Sequence, residues 1–134
     1  FPTRRSSDLA YAQSISSAGS PYVQNYTKSQ YKAGNQNWSI AQGKDGIIYA
    51  ANNNGLVAFD GAYWNLYPLS NRNFARSVAV APNGNIYIGG KEEFGYFAKQ
   101  QGKLKYHNLS RLVEPEVLKK KRLSLPILQL YFIL

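Results

Sequence analysis

The chain has 134 residues with no cysteine, no methionine and one histidine, which excludes a thiol nucleophile and a cysteine–histidine metal cluster. The formal net charge of +9 raises nucleic acid as a partner. However, six of the sixteen basic residues lie in two terminal stretches, around Arg4 and Lys119. With Asp8 also set aside, ten basic and six acidic residues remain. The remaining lysines are scattered rather than clustered, so we expect no nucleic-acid partner.

The N-terminal residues carry two signals that do not concern the fold. Residues 1–9 resemble the translation of a sequencing adapter, and we interpret them as an assembly artefact. The alternative is a genuine basic, disordered N-terminus. Ala10-Tyr11-Ala12 is a small-x-small pattern of the kind that ends a secretory signal peptide. We therefore interpret residues 10–34 as a truncated signal peptide followed by an N-terminal segment, which predicts an exported chain.

An internal repeat dominates the middle of the chain. Displaced by 38 positions, the sequence matches itself without a gap. The identical residues of the first copy are followed here by their partners in the second: Asn35, Ser39, Ala41, Gly46, Ile48, Tyr49 and Phe59 match Asn73, Ser77, Ala79, Gly84, Ile86, Tyr87 and Phe97. A repeat of this length is one supersecondary unit that must stack on further copies to bury its apolar face.

Each copy reads as four short strands joined by tight turns. In the first copy we predict strands over 39–42, 47–51, 56–59 and 63–68, and in the second over 77–81, 85–88, 93–97 and 104–107. Asp-Gly and Asn-Gly pairs separate several of them, and such pairs are strong hairpin signals. No 3.6-residue apolar period runs between Trp38 and Leu109. We predict an all-β fold made of two consecutive four-stranded antiparallel blades of a β-propeller, at 35–72 and 73–112.

Two blades cannot close a propeller, since at least four are generally needed. We therefore expect a fragment of a longer chain, with the remaining blades of that chain as partners. Tyr22, Tyr26 and Tyr31 precede the repeats and could belong to a strand that completes the last blade of the ring.

The C-terminal stretch 113–134 is interpreted as a linker followed by a frameshifted tail. A basic cluster at 119–122 precedes a 12-residue apolar run that contains Pro126, which is shorter than the roughly 20 residues of a transmembrane helix. A real edge strand or a membrane-directed segment is the alternative.

The sequence offers little for catalysis. His107 lies in a predicted outer strand, and Asp45 and Asp60 occupy hairpin positions where a carboxylate bonds nearby backbone amides. Glu92 and Glu93 form the only adjacent acidic pair, a weak basis for acid–base chemistry. No phosphate-binding glycine motif is present. We expect this fragment to be no enzyme and to need no cofactor or metal.

A candidate ligand surface lies at one rim of the predicted blades. In a propeller, the connection into each innermost strand and the loop between its second and third strands share a face. Their amides, indole, guanidinium and carboxylate suit a hydroxyl-rich ligand, and the candidate residues are Asn35, Asn37, Trp38, Asn52, Asn53, Asn73, Arg76 and Glu92. The alternative, which the sequence favours, is structural: Trp38 and Phe74 wedge between blades while the asparagines shape turns. Tyr49 and Tyr87 are expected between blades.

The first copy, residues 39–61, resembles the two-component regulator propeller repeat. It shares the aliphatic strand, the Gly55-Leu56 pair and the aromatic-Asp-Gly ending Phe59-Asp60-Gly61. It departs from the Asp-x-x-Gly-like turn of the repeat in having Asp45 directly before Gly46, and in having Tyr49 where tryptophan is common. In the second copy, Glu93-Phe94 replaces Gly-Leu and Ala98-Lys99 replaces Asp-Gly. The resemblance covers residues 20–112.

The resemblance implies the N-terminal part of a bacterial envelope sensor, membrane-anchored and periplasmic, whose output domains lie elsewhere in the chain. Several relatives sense products of polysaccharide breakdown. The expected function is therefore ligand sensing or binding, with an oligosaccharide or other small ligand as partner. One alternative is a structural scaffold for a homodimer of the receptor. The other is a fragment of a propeller enzyme that acts on polysaccharide.

Overall fold

A computed structural model of the chain describes residues 19–112. The interpretations of residues 1–9, of the signal-peptide pattern at 10–12 and of the stretch 113–134 therefore lie outside the described residues. The described part contains one short helix, α1 (Lys28–Tyr31), eight strands and a 3-10 turn at Ser110–Leu112. The predicted all-β class is confirmed.

The first sheet consists of four antiparallel strands in chain order. These are β1 (Asn37–Gln42), β2 (Ile48–Asn52), β3 (Gly55–Phe59) and β4 (Trp64–Tyr67). The turn between β1 and β2 closes at Gly46, whose φ of 82° lies in the left-handed region that favours glycine. At the next turn, Gly55 has a φ of 130°, and a Cβ there would lie 2.4 Å from the carbonyl oxygen of Tyr67. Backbone freedom and lack of space therefore both require glycine at position 55.

The second sheet repeats this arrangement, again antiparallel and in chain order. Its strands are β5 (Ala75–Val80), β6 (Ile86–Gly90), β7 (Phe94–Gln100) and β8 (Lys103–Asn108). Strands β7 and β8 are longer than their counterparts β3 and β4 in the first sheet, and the Gln101-Gly102 turn joins β7 to β8. All eight strands lie close to their predicted positions, with ends displaced by a few residues.

The two sheets pack face to face. Each strand alternates its side chains between the two faces of its sheet, so one face of each sheet contributes every second side chain to the core between them. From the first sheet, Tyr49, Ala51, Leu56 and Ala58 enter a shared apolar core. The second sheet supplies residues from its opposite face: Val78, Ile86, Ile88 and Phe97. Thus one face of the first copy meets the other face of the second. The prediction that Tyr49 lies between the sheets is confirmed, since it is 2% exposed.

Tyr87, its repeat partner, lies on the far face of the second sheet, where its ring is 5.6 Å from that of Tyr96. The register explains this position, because Tyr87 and Tyr96 are opposite each other in β6 and β7. Among the described residues, no third sheet packs on this face. Residues 19–112 therefore do not test the expectation that Tyr87 lies between two sheets, and it stays a prediction.

The segment before β1 differs from the expected strand. Within 19–36 the structure has only α1, whose first turn is held by a 2.7 Å hydrogen bond from the Thr27 amide to the Gln30 side chain. The segment covers part of the face of the first sheet that points away from the shared core, and leaves the side of this face at β1 open. Tyr26 packs 5.1 Å from the rings of both Phe59 and Trp64, and Tyr31 lies 5.8 Å from Trp64. Burial of aromatic rings, rather than strand pairing, decides the conformation here.

Candidate functional site

A β-bulge occurs near the start of the first strand of each sheet. In the first sheet the register shifts between Asn37 and Ser39, and in the second between Ala75 and Ser77. The extra residues are Trp38 and Arg76, which occupy the same position of the 38-residue repeat. A bulge leaves one residue outside the regular ladder and redirects its side chain.

The two bulge residues meet across the boundary between the sheets. The guanidinium carbon of Arg76 lies 4.0 Å from the centroid of the Trp38 ring, the geometry of a cation–π contact. Trp38 remains 45% exposed, so the pair is accessible to solvent. The nearby Phe74 is 46% exposed. Neither ring is wedged into the core between the sheets.

The Trp38 indole is held in place by the turn between β2 and β3. Its N–H donates a 2.7 Å hydrogen bond to Asn53 Oδ1. The Asn53 amide in turn donates to Gln36 Oε1 at 3.2 Å, and its backbone N–H donates to the Gln36 carbonyl at 3.2 Å. Trp38, Asn53 and Arg76, three of the predicted site residues, therefore form one connected group, which we name the rim cluster.

Asn52 lies in the interior, unlike Asn53, which belongs to the rim cluster. It is fully buried, and all its polar groups are used internally. Its side-chain oxygen accepts from the amides of Gly34 at 2.8 Å and Asn54 at 2.9 Å. Its amide nitrogen donates to the Gly34 carbonyl and to Asn37 Oδ1, both at 2.8 Å. Asn52 thus anchors the segment that leads into β1, and its side chain has no group left for a ligand.

In the second sheet, Glu93 anchors the segment before β5, as Asn52 anchors the segment before β1. This role of Glu93 was not predicted from the sequence. The buried carboxylate of Glu93 accepts a hydrogen bond from Asn73 Nδ2 at 3.2 Å. It also accepts from Asn108 Nδ2 at 2.9 Å, and from the backbone amide and the hydroxyl of Ser70. These bonds fix the segment that leads into β5. The repeat gives no signal of this role, because a shift of 38 matches Glu93 with Gly55.

Of the other predicted site residues, some belong to the hydrogen-bond networks around Asn52 and Glu93, and the rest are exposed to solvent. Asn73 is occupied by Glu93, as described, and Asn37 by Asn52. Asn35 is exposed in the segment before β1. Glu92 is exposed in the turn between β6 and β7, with a left-handed φ of 62°. The structure therefore brings Trp38, Asn53 and Arg76 together, uses Asn37, Asn52 and Asn73 to hold the backbone, and leaves Asn35 and Glu92 free of hydrogen bonds to the described side chains.

A second feature, absent from the sequence predictions, lies at the opposite ends of the sheets. The turns β1–β2 and β5–β6 enclose a cleft of about 280 Å³ whose lining includes Lys44, Asp45, Tyr49 and Lys99. An ion pair of 3.0 Å between Lys99 Nζ and Asp45 Oδ2 bridges the two sheets at this cleft. The hydrogen bond from Lys99 lowers the pKa of Asp45 below its ordinary value of 3.8, with help from the amide of Ile47.

The predicted turn roles of the two aspartates are confirmed. Asp45 Oδ1 accepts from the amide of Ile47 at 3.2 Å. Asp60 Oδ1 accepts from the amides of Ala62 at 2.8 Å and Tyr63 at 2.7 Å, and these bonds lower the pKa of Asp60. Both carboxylates are therefore stabilised in the charged form and suit turn formation better than proton transfer.

Two tyrosines, the buried Tyr49 and the partly buried Tyr106, have raised pKa values because burial disfavours the charged form. Burial raises the pKa of Tyr49 to about 12, with a smaller effect from the charge of Asp45. Burial likewise raises the pKa of Tyr106, reinforced by the nearby Glu93 carboxylate. Both phenols stay protonated at neutral pH and act as packing groups. His107, in β8, stacks on Tyr96 with ring centroids 4.8 Å apart.

Within residues 19–112, no three acidic or histidine side chains converge as metal ligands would. In the same part of the chain, none of the helices has the length and apolar character that crossing a bilayer requires. Compared with known proteins, the chain matches no protein-family model and no curated protein. The rim cluster and its two anchoring networks therefore have to be interpreted from their own chemistry.

Proposed function

We propose that the two sheets are consecutive blades of a β-propeller that binds a hydroxyl-rich ligand outside the cytoplasm, as the sensing part of a bacterial signal-transduction receptor. Three features support the propeller assignment. Both copies have the same strand order and the same bulge. Opposite faces of successive copies pack together. The innermost strands β1 and β5 are also in contact. Stacking of this kind, continued by further copies, generates a ring.

The rim cluster is the observation that carries the binding function. It presents an indole and a guanidinium at the boundary between two blades, fixed by the bulges and by the Trp38–Asn53 hydrogen bond. Aromatic faces and planar donors suit sugar rings and their hydroxyls. The small-x-small pattern at residues 10–12 and the resemblance to regulator propellers support the extracytoplasmic sensing role. The cluster offers an aromatic face and hydrogen-bond donors rather than a paired acid and base, so we assign binding rather than catalysis.

Screening the full chain against a glycan array, followed by thermal-shift titration, tests this function. We expect a saccharide that raises the melting temperature of the wild type but not of Trp38→Ala or Arg76→Ala. Tyr63→Ala is the matched control, because Tyr63 is an exposed aromatic residue, 72% accessible, in the turn between β3 and β4 at the other end of the sheet. Equal saccharide binding by all four proteins would place the ligand away from the rim. Complete absence of binding would contradict the sensing function.

A scaffold function is the second candidate, favoured by a different surface. An apolar cleft of about 340 Å³ lies beside Trp38 on the free face of the first sheet, with Ile40, Ile48 and Trp64 in its lining. Ile40 is 71% exposed there. This face is suited to pack on another blade or on a second receptor chain. A concentration-dependent dimer in light scattering, abolished by Ile40→Asp and seen together with no saccharide binding, would favour the scaffold over the sensor.

A further inference from the structure

We propose that the rim cluster is specific for an acidic saccharide, and that Arg76 receives a carboxylate or sulfate group carried by the sugar. This proposal rests on the ligand-binding function proposed above and names its substrate class. The site consists of the Arg76 guanidinium, the Trp38 ring beneath it and the surrounding polar rim.

The first argument is the absence of an internal partner for the Arg76 charge. Within residues 19–112 the single ion pair joins Lys99 to Asp45, so no carboxylate lies within 4.0 Å of Arg76. The side chain also donates no hydrogen bond to the described residues; its one contact of a specific kind is with the Trp38 ring. Arg76 is partly buried, and a partly desolvated charge gains more from a counter-ion than a fully solvated one.

The second argument is that the guanidinium is held in place before a ligand arrives. Arg76 is a bulge residue, so its backbone is set by the ladder on either side. Glu93 fixes the segment before it through Ser70 and Asn73. Trp38, itself held by Asn53 at 2.7 Å, supports the guanidinium from one side. Side chains ordered in advance lose less entropy on binding.

The third argument is the chemistry of the groups that remain available. A guanidinium presents its N–H donors in a planar fork that matches the two oxygens of a carboxylate or sulfate. The guanidinium carbon lies 4.0 Å from the indole centroid, and no N–H of the group donates a hydrogen bond to the described residues, so the N–H donors stay available beside the indole contact. Arg76 can therefore keep its contact with Trp38 while it binds an oxyanion. A neutral hydroxyl would leave the charge unpaired.

The fourth argument is the charge of the surroundings. Exposed Arg72 and Lys91 lie in the connections at the same end of the second sheet. Glu92 is the exposed acid there, while the Glu93 carboxylate is buried and occupied by its own donors. The exposed side chains of this end are therefore net positive, which attracts an anion and repels a cation.

A matched pair of saccharides tests the proposal: a trimer of glucuronic acid and the equivalent trimer of glucose. Calorimetric titration of the full chain should give about tenfold tighter binding of the acidic trimer, the effect of one charge-assisted contact. Raising the salt concentration should reduce this preference, because exposed charges are screened.

Variants then locate the source of the preference. Arg76→Gln should remove it, and Arg76→Lys should keep only part of it, because a lysine retains the charge without the fork. Glu92→Gln should leave the preference intact or increase it. Lys103→Gln is the matched control, since Lys103 is an exposed cation in β8 at the other end of the second sheet. Circular dichroism checks that each variant keeps its β structure.

The outcomes separate the two proposals. Equal affinity for both trimers, unaffected by Arg76→Gln, would overturn the acidic specificity and leave saccharide binding intact. Inorganic sulfate binding as tightly as the acidic trimer would show an anion site without a sugar contribution, and would overturn the saccharide assignment. If neither trimer nor any arrayed glycan binds, the binding function fails together with the inference that depends on it.

Discussion

At the scale of single residues, two buried polar side chains do the same work by different chemistry. Asn52 uses an amide to hold the segment before β1, with donors and acceptors both satisfied. Glu93 uses a carboxylate to hold the segment before β5, and accepts from groups that all donate. Buried polar groups are tolerated when each is hydrogen-bonded. The two networks therefore position the rim cluster without contributing to its surface.

We expect Asn52→Ala to lower the free energy of unfolding by about 2 kcal/mol, because it removes four hydrogen bonds of a fully buried side chain and leaves both backbone polar groups of the partly buried Gly34 without their partner. Chemical denaturation followed by circular dichroism measures the loss. Asn65→Ala, at an exposed position of β4, is the control and should change stability by less than about 0.5 kcal/mol. Equal effects of the two substitutions would contradict an anchoring role for Asn52.

Position 95 requires glycine because neighbouring atoms leave no room for a side chain. A Cβ at this position would lie 2.2 Å from the carbonyl oxygen of His107 and 2.9 Å from the Tyr106 side chain. We expect Gly95→Ala to destabilise the protein by about 3 kcal/mol, because the obstacle is partly backbone and cannot rotate away. Thermal unfolding measures the effect. Gly19→Ala, where a Cβ meets nothing within 4 Å, should leave the melting temperature unchanged.

At the scale of elements, the ion pair between the β1–β2 turn and β7 links the two sheets. Asp45 has a pKa below 3.8 in the folded chain because of Lys99. A lowered carboxyl pKa contributes stability that is present above the unfolded value and is lost as the pH falls through the folded value. Both side chains are substantially exposed, at 55% for Lys99 and 39% for Asp45, so the contribution is small.

We therefore expect Asp45→Asn to destabilise the chain by less than about 1 kcal/mol at pH 7, with the difference from wild type disappearing below the folded pKa of Asp45. Denaturation at a series of pH values and salt concentrations measures it. Lys99→Gln should produce a similar loss and add little to Asp45→Asn in a double-mutant cycle. Strictly additive losses, or a difference that grows as the pH falls, would contradict the pairing.

At the scale of the whole molecule, the core shared by the two sheets makes them one cooperative unit. Ile88 of β6 is 1% exposed and packs in this core, whereas both tryptophans lie in the first sheet. Trp38 touches Arg76 of the second sheet, whereas Trp64 packs on Tyr26, Tyr31 and Phe59. In a Trp38→Phe background, tryptophan fluorescence thus reports on the first sheet when the second is perturbed. Two sheets with a common core should unfold together.

We expect Ile88→Ala to cost about 3 kcal/mol and to lower the melting temperature reported by tryptophan fluorescence and by circular dichroism equally. Ile40→Ala, the same substitution at a 71% exposed site, should have a much smaller effect. If the fluorescence transition stays at its wild-type temperature in Ile88→Ala while the circular dichroism transition falls, the sheets unfold independently and the shared core does not couple them.

Much of the fold could be predicted from local sequence. Turn residues such as Asp45-Gly46 and Asn83-Gly84 mark the hairpins through their backbone preferences. Alternating apolar residues mark the strands, and the 38-residue repeat sets their number. These signals are local or periodic, so one sequence contains them. They placed all eight strands and predicted the buried position of Tyr49 correctly.

The site depended on contacts that no local pattern encodes. The meeting of Trp38 with Arg76 requires two bulges and the packing of one sheet on the next. The burial of Glu93, in contrast to its exposed neighbour Glu92, follows from which side of a turn faces the segment before β5. The sequence alone determined a duplicated antiparallel sheet, because hairpins form between neighbours in the chain. Only the tertiary structure decided which polar side chains hold the backbone and which face the solvent, because that division depends on residues far apart in the chain.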